Sequence, residues 1–349
     1  MEVLDYSIIA CYFAIILWIA RWASKGKEDK EFSSVDYFLA GKDQSWVVIG
    51  ASLFASNIGS EIILGVSGAG ARANMPMANF EILAALVLIL FGWVFVPFYM
   101  RTGVYTMPEF LEKRYSQACR NYLSIVSILA YIITKISLII FAGALVFEVL
   151  NIPFWTGAII TVVATGLYTV LGGLKAVIYT DMVQAFVLLV GTAVVTIFGL
   201  HQIGGWDELI NTLSMASESG TNPPVDRFFN LWRPMSDTQY PWTGMLFGAP
   251  ILGIWYWCTD QYIVQRALSA KDISNARKGA LFAGYLKLLP VFIFFLPGVV
   301  AYALLQKGVI VFSMGNADQA LPAMITPGIE RVGNCGIIGR IDEFIVFGI

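Results

Sequence analysis

Histidine is almost missing from this chain: His201 is the single one among 349 residues. That one scarcity removes His-rich metal sites and His-based catalytic triads, and His201 itself reads as an ordinary residue at a helix end. Charge is scarce as well. Charged residues make up 13% of the sequence, about half the roughly 25% of a soluble domain, so much of the surface must face something other than water. The net charge is −2 and no basic run exists, which excludes nucleic acid as a partner. Cys11, Cys119, Cys258 and Cys335 are far apart and form no CxxC pair; they read as free thiols, not as a disulfide framework or metal site. There is no GxSxG nucleophile, HExxH zinc motif or phosphate-binding loop, so the sequence points away from an enzyme. The first apolar run lacks the basic start of a cleavable leader. Glu2 and Asp5 precede it and its positive charges follow, the pattern of a retained first span.

What the chain has in abundance is apolar sequence in long blocks: 58% hydrophobic residues and a mean hydropathy of +0.72. A helix needs about 20 apolar residues to cross the hydrocarbon core. Eight segments qualify, at roughly 4–22, 45–65, 80–100, 121–149, 153–172, 177–200, 242–263 and 280–305. The expected fold class is therefore an all-α integral membrane protein, a multi-span helical bundle in one transmembrane domain over 1–327 that contacts lipid. With Arg21 counted at the inner edge of the first span and the last loop counted to Pro327, the odd-numbered loops carry 14 Lys and Arg and the even-numbered loops 4. Positive residues favour the cytoplasm, which puts the N-terminus outside a plasma membrane crossed many times. The sixth loop, 201–241, is punctuated by Gly204, Gly205, Pro223 and Pro224, and its Trp206–Met215 stretch predicts a short interfacial helix.

Two spans carry features a plain anchor does not need. The second concentrates small and hydroxyl residues in Gly50-Ala-Ser-Leu-Phe-Ala-Ser-Asn-Ile-Gly-Ser60, followed by Glu61. The seventh holds Pro250, Gly253 and the run Trp255-Tyr-Trp-Cys-Thr-Asp-Gln261. Unwound backbone survives at membrane depth only where it is buried in protein or lines a wet cavity, and its free carbonyls can hold a small cation. Small residues also serve close helix packing, so each stretch by itself has two readings. Ionisable residues within spans mark sites or pathways. Here they are Glu81, Lys135, Asp181 and Lys287, with helix-end solvation as the alternative for Glu81 and Asp181, packing against a carbonyl for Lys135 and snorkelling for Lys287. Trp255, Tyr256 and Trp257 suit stacking on the C–H faces of a sugar ring, or an interfacial belt.

At these residues the sequence resembles the sodium/solute symporter family, and within it the sodium–glucose cotransporter branch. The resemblance is carried by Asp36-Tyr-Phe-Leu-Ala-Gly-Lys42, 50–65, Gly103-Val-Tyr-Thr-Met-Pro-Glu-Phe-Leu-Glu-Lys-Arg114, Thr134-Lys-Ile-Ser137, 172–184 and 255–266. It implies two inverted five-helix repeats behind one extra helix, and transport by alternating access. By the same resemblance Glu81 and Lys287 match positions that hydrogen-bond sugar hydroxyls. Tyr256 matches an inner-gate aromatic, Trp257 its neighbour, and Asn57 the asparagine that supports the gate. Ala55 and Ile58 match backbone-carbonyl sodium ligands, and Asp181 an acid on the inner sodium route. Ile62, Ala84 and Gly253 stand where some sugar-transporting relatives place polar contacts.

The resemblance therefore implies sodium-coupled symport of a small sugar or sugar-like solute. Myo-inositol, an amino acid or a small carboxylate are the alternative cargoes, and a solute sensor that does not transport is a reading from another class. After Pro327 the sequence turns into a charged stretch, 328–349, where the family's next helix is expected. A truncated copy with an incomplete second repeat, unable to couple sodium by itself, is the corresponding expectation.

Overall fold

The structure, a computed structural model, describes residues 3–25, 34–149, 152–218 and 223–325. The expectation for 328–349 lies outside the described residues. Helix α1 spans Val3–Lys25, α2 Trp46–Ala55 and α3 Ser60–Ala71. Helix α4 spans Met75–Thr102 and α5 covers 117–149. A helical stretch from Phe154 to Ile203 is divided at Gly173 (φ 60°, ψ −162°) into α6, 154–171, and α7, Gly172–Ile203. Helix α8 is Trp206–Glu218, α9 covers 244–259, α10 is Gln261–Leu268, α11 Ile273–Gln306 and α12 Ala320–Ile325.

The all-helical, multi-span expectation holds, with differences in detail. Among the described residues four helices, α4, α5, α7 and α11, are long and apolar enough by themselves to cross a membrane. The pair α2–α3, bent by 62°, makes a fifth if counted as one broken span. The apolar parts of α1 and α6 are shorter, at Cys11–Trp22 and Phe154–Leu167. The expected gap between the fifth and sixth spans is only the turn at Gly173, where a side chain would meet Tyr37. The seventh span is divided between α9 and α10. The short helix expected at Trp206–Met215 is present as α8.

Proline explains much of the irregularity within spans. It lacks the N–H that an α-helix needs, and a wide π-type turn can absorb the defect. Wide turns at Phe91–Phe95, Gly244–Gly248 and Val291–Phe295 each end two residues before a proline, Pro97, Pro250 and Pro297.

The helices converge on α11. An added Cβ on Gly50 of α2 would lie 2.8 Å from the Gly279 carbonyl, and one on Gly298 would lie 1.8 Å from the Ser67 carbonyl of α3. Small residues at these two crossings let backbones touch. Helix α11 therefore crosses both halves of the first broken span. Between the crossings its own ladder tightens: Leu288 and Leu289 N–H groups donate to Tyr285 and Leu286 at 3.2 and 3.0 Å, just ahead of Pro290. Lys287 stands in that turn, level with the break between α2 and α3.

Candidate polar site at the helix breaks

The α2–α3 break runs from Ser56 to Gly59. The last turn of α2 is tightened by bonds from Asn57 N to Phe54 O at 3.2 Å and from Ile58 N to Ala55 O at 2.9 Å. The Gly59 carbonyl starts α3 by accepting from Ile62 and Ile63 at 3.1 and 3.2 Å. Among the described residues no donor reaches the Ile58 carbonyl, while the Ala55 carbonyl keeps a lone pair beyond its one bond. The backbone oxygens expected to serve a cation are thus at a real break.

The second break differs from expectation. Gly253 lies within a helical turn, Ala249–Ile254, and the helix continues as a wide turn through Trp255–Thr259. The interruption falls at Asp260, whose backbone is extended (φ −68°, ψ 127°). Its carboxylate caps α10 by accepting from Tyr262 N at 3.0 Å. An aspartate commonly plays this N-cap role, so the helix restarts there and not at the glycine.

Five of the expected residues meet beside these breaks. Lys287, with 0% of its side chain exposed, donates to Glu81 Oε2 at 2.7 Å and to Asn57 Oδ1. The Tyr256 side chain lies beside Asn57. The result is a polar chain, Asn57–Lys287–Glu81, that links the first break, α11 and α4, with Tyr256 of α9 beside it. Trp257 is buried with its ring centroid 5.4 Å from Lys287 Nζ, and the Tyr256 ring packs edge-on at 5.1 Å from that of Trp257. Both glutamate and lysine are buried, the arrangement that keeps an intramembrane charge tolerable. Snorkelling is therefore ruled out for Lys287.

Asp181 lies apart from this chain. It accepts from Ser52 Oγ at 2.7 Å and from Arg266 Nη2 at 3.2 Å, both buried. It is a paired carboxylate and not a helix end in water.

Lys135 on α5 turns out to be a partner of the second break, not a residue packed on a carbonyl. Its Nζ lies 3.0 Å from Asp260 Oδ2, while Tyr131 donates to Asp260 Oδ1. The ammonium also sits over the rings of Tyr131, Tyr256 and Tyr262, at 5.1, 4.8 and 4.4 Å from their centroids.

Comparison with known proteins bears on this arrangement. The profile of the Sodium:solute symporter family matches residues 37–332. The chain belongs to that family. Among curated proteins it is similar to sodium/glucose cotransporter 1 of Oryctolagus cuniculus, 41% identical over 310 residues that cover 85% of this chain and 46% of that one. It is also similar to the sodium/myo-inositol cotransporter of Homo sapiens, 40% identical over 318 residues, covering 86% of this chain and 44% of the relative. The chain thus spans under half the length of these relatives. Among solved structures, a substrate-bound, outward-open Na+-coupled sialic acid symporter superimposes with a TM-score of 0.83 at 21% identity, over 99% of this chain and 71% of that one. The shared fold establishes the discontinuous-helix bundle of the symporters for this multi-pass membrane protein.

In this symporter-family chain, Asp260, Arg266, Ser52 and Tyr262 took no separate place among the sequence candidates. A signal was available for one of them. An Asp within a span, just ahead of an amphipathic turn, is an N-cap pattern. Arg266 looked like an ordinary loop cation because its partner, Asp181, is distant in sequence.

Proposed function

We propose that the protein is a sodium-driven symporter for a sugar or sugar-like polyol, working by alternating access across the plasma membrane with its N-terminus outside. The observation that carries this reading is the buried Lys287–Glu81 pair, with Asn57 on the same ammonium and Tyr256 and Trp257 beside it. A polyol presents hydroxyls that both donate and accept. An acid, an amine, an amide and a phenol in one cluster satisfy such a pattern, and the aromatic faces take the ring's C–H surface. A carboxylate substrate would instead meet the negative charge of Glu81, already matched by Lys287.

In this reading Glu81 and Lys287 bond solute hydroxyls, Tyr256 stacks at the inner gate with Trp257 beside it, and Asn57 supports that gate. Sodium is seated by the carbonyls of Ala55 and Ile58, since hard cations take oxygen ligands and unwound backbone supplies them in transporters. Because Asn57 lies between these two carbonyls, an ion at the break stabilises the peptide that presents the gate support. Binding of sodium then favours solute binding, and downhill sodium entry drives solute import. Asp181 lies on the inner route of the ion; its pairing with Arg266 closes that route until the guanidinium moves aside.

The test is uptake of radiolabelled glucose by proteoliposomes holding the full-length protein, under an inward sodium gradient and under choline. Sodium-dependent accumulation, competed by unlabelled glucose or myo-inositol, is expected. Saturable binding without accumulation would overturn transport in favour of a sensor, and competition by amino acids or carboxylates but not by polyols would overturn the cargo class.

A further inference from the structure

Between the two breaks runs a set of contacts that includes one, from Tyr262 to Ser56, that the sugar and sodium roles do not use. Ser52 and Ser56 stand one turn apart at the end of α2, and Tyr262 and Arg266 stand one turn apart on α10. Arg266 Nε donates to Ser52 Oγ at 3.0 Å, and the Tyr262 hydroxyl donates to the Ser56 carbonyl at 3.0 Å. Rising residue numbers on one helix meet falling numbers on the other. The two half-helices therefore run antiparallel, joined by two rungs about 5.4 Å apart, one helical pitch.

The rungs differ in kind. The Ser52 rung is charged, since Asp181 of α7 binds both Ser52 and Arg266. The Ser56 rung is one neutral hydrogen bond onto a peptide in the unwound stretch, where a carbonyl has no helical ladder to hold it. The donor is held firmly. The Tyr262 ring packs against Lys135 Nζ and the Arg266 guanidinium, each 4.4 Å from its centroid. Its N–H is taken by Asp260, and its carbonyl accepts from Arg266 Nη1 at 2.6 Å. The Ser56 carbonyl belongs to the same peptide unit as the Asn57 N–H, so whatever fixes that oxygen also orients Asn57.

We propose that Tyr262 is a positioning residue that couples the two breaks, its hydroxyl holding the Ser56 carbonyl so that the cation cradle and the Asp260 hinge shift as one unit. This inference rests on the symporter reading. It adds that the link between ion and gate passes through a phenol on α10, and not only through Asn57.

The variant is Tyr262→Phe, which keeps the ring against its two cations and removes the hydroxyl. Two readouts are taken on the full-length protein in lipid nanodiscs. The first is amide hydrogen exchange over 54–60. Loss of a hydrogen bond of about 1 kcal/mol should speed exchange there roughly fivefold while 62–71 stays as in wild type. The second is the ratio of sugar dissociation constants without and with sodium, which should fall roughly fivefold towards unity while the sodium-free affinity holds.

Replacing Tyr262 with p-aminophenylalanine, which restores a donor, should recover both. A merely structural role would instead lower thermal stability and weaken sugar binding with and without sodium alike, and that outcome overturns the proposal. So does unchanged exchange, or altered exchange with an unchanged sodium ratio. A wild-type protein whose sugar affinity ignores sodium refutes the symporter reading itself, and the coupling role with it.

Discussion

The pair formed by Lys287 and Glu81 allows stability and binding to be separated. Lys287 has no exposed surface, and its recorded partners are Glu81, Asn57 and the rings of Trp257 and Phe54. Replacing Glu81 with Ala leaves the ammonium with one neutral acceptor. Breaking a buried pair from one side costs about 3–5 kcal/mol, which at about 2 °C per kcal/mol lowers the melting temperature by on the order of 10 °C. Replacing both residues, Glu81→Leu with Lys287→Met, removes the uncompensated charge. Such apolar exchanges are often neutral or better for stability, so the double variant should recover most of that loss.

Solute affinity should not recover. Each charged hydrogen bond to a hydroxyl contributes about 1.5–3 kcal/mol, so loss of the acid and the amine should weaken sugar binding by at least about a hundredfold. Thermal unfolding by tryptophan fluorescence and equilibrium sugar binding on the same preparations measure both quantities. A Glu81→Ala variant as stable as wild type would refute the burial argument, and a stable double variant that still binds sugar would refute the substrate role.

Other expectations follow from contacts elsewhere. Gly298→Ala should strongly destabilise the bundle, by about 1–3 kcal/mol or more, because its Cβ would lie 1.8 Å from the Ser67 carbonyl; a melting temperature within 1–2 °C of wild type, about the size of experimental scatter, would contradict the close crossing. Lys135→Met should cost about 1–3 kcal/mol, since it strips Asp260 of its cation, and Asp260→Asn/Lys135→Met should restore part of that in a double-mutant cycle.

A pH-dependent contribution is expected at the start of α11. Asp272 accepts from the Asn275 backbone and side chain, and these bonds hold its carboxyl below its ordinary value of 3.8. Stabilisation from a lowered carboxylate is complete above the unfolded value and disappears as pH falls through the folded one. Asp272→Ala should therefore melt lower than wild type at neutral pH, with the gap closing only below about pH 3.8. A gap that closed nearer pH 6 would point to another group.

The fold class was legible because it depends on local composition. Long apolar blocks, alternating Lys and Arg between loops, and a cluster of small residues at 50–60 are all contiguous in sequence. So was the meeting of Glu81, Lys287, Asn57, Tyr256 and Trp257, through the resemblance of whole motifs. The missed features are pairings. Arg266 with Asp181, Lys135 with Asp260, and Tyr262 with Ser56 each join segments that only the packed bundle brings together, and each partner alone has an ordinary reading. Gly253 misled for a related reason: glycine marks where a helix is allowed to break, whereas the actual break at Asp260 is made by a side chain that caps the next helix.

These pairings also bear on how such a protein moves. A rigid element is moved by the contacts it keeps, and the contacts it must lose set the barrier. Helices α2 and α10 keep two rungs to each other, so under the proposed coupling they act as one antiparallel unit on the side of the breaks that leads to the Lys- and Arg-rich loops. That unit is held to the rest of the bundle by Asp181 of α7 below and by Lys135 of α5 at the hinge. In the proposed alternating-access cycle, opening towards the cytoplasm requires the Asp181–Arg266 and Lys135–Asp260 pairs to separate, and only the first lies on the proposed ion route. An ion arriving at Asp181 can replace the guanidinium's charge there and so lower the cost of separation, whereas nothing replaces Lys135. Neutralising Asp181 should then ease inward opening without sodium and produce a leak. Neutralising Lys135 should loosen the hinge in both directions. Thiol accessibility of a cysteine introduced at Gln265, measured with and without sodium in the two backgrounds, would read the difference. Equal accessibility in both would mean that the half-helices do not move as a unit.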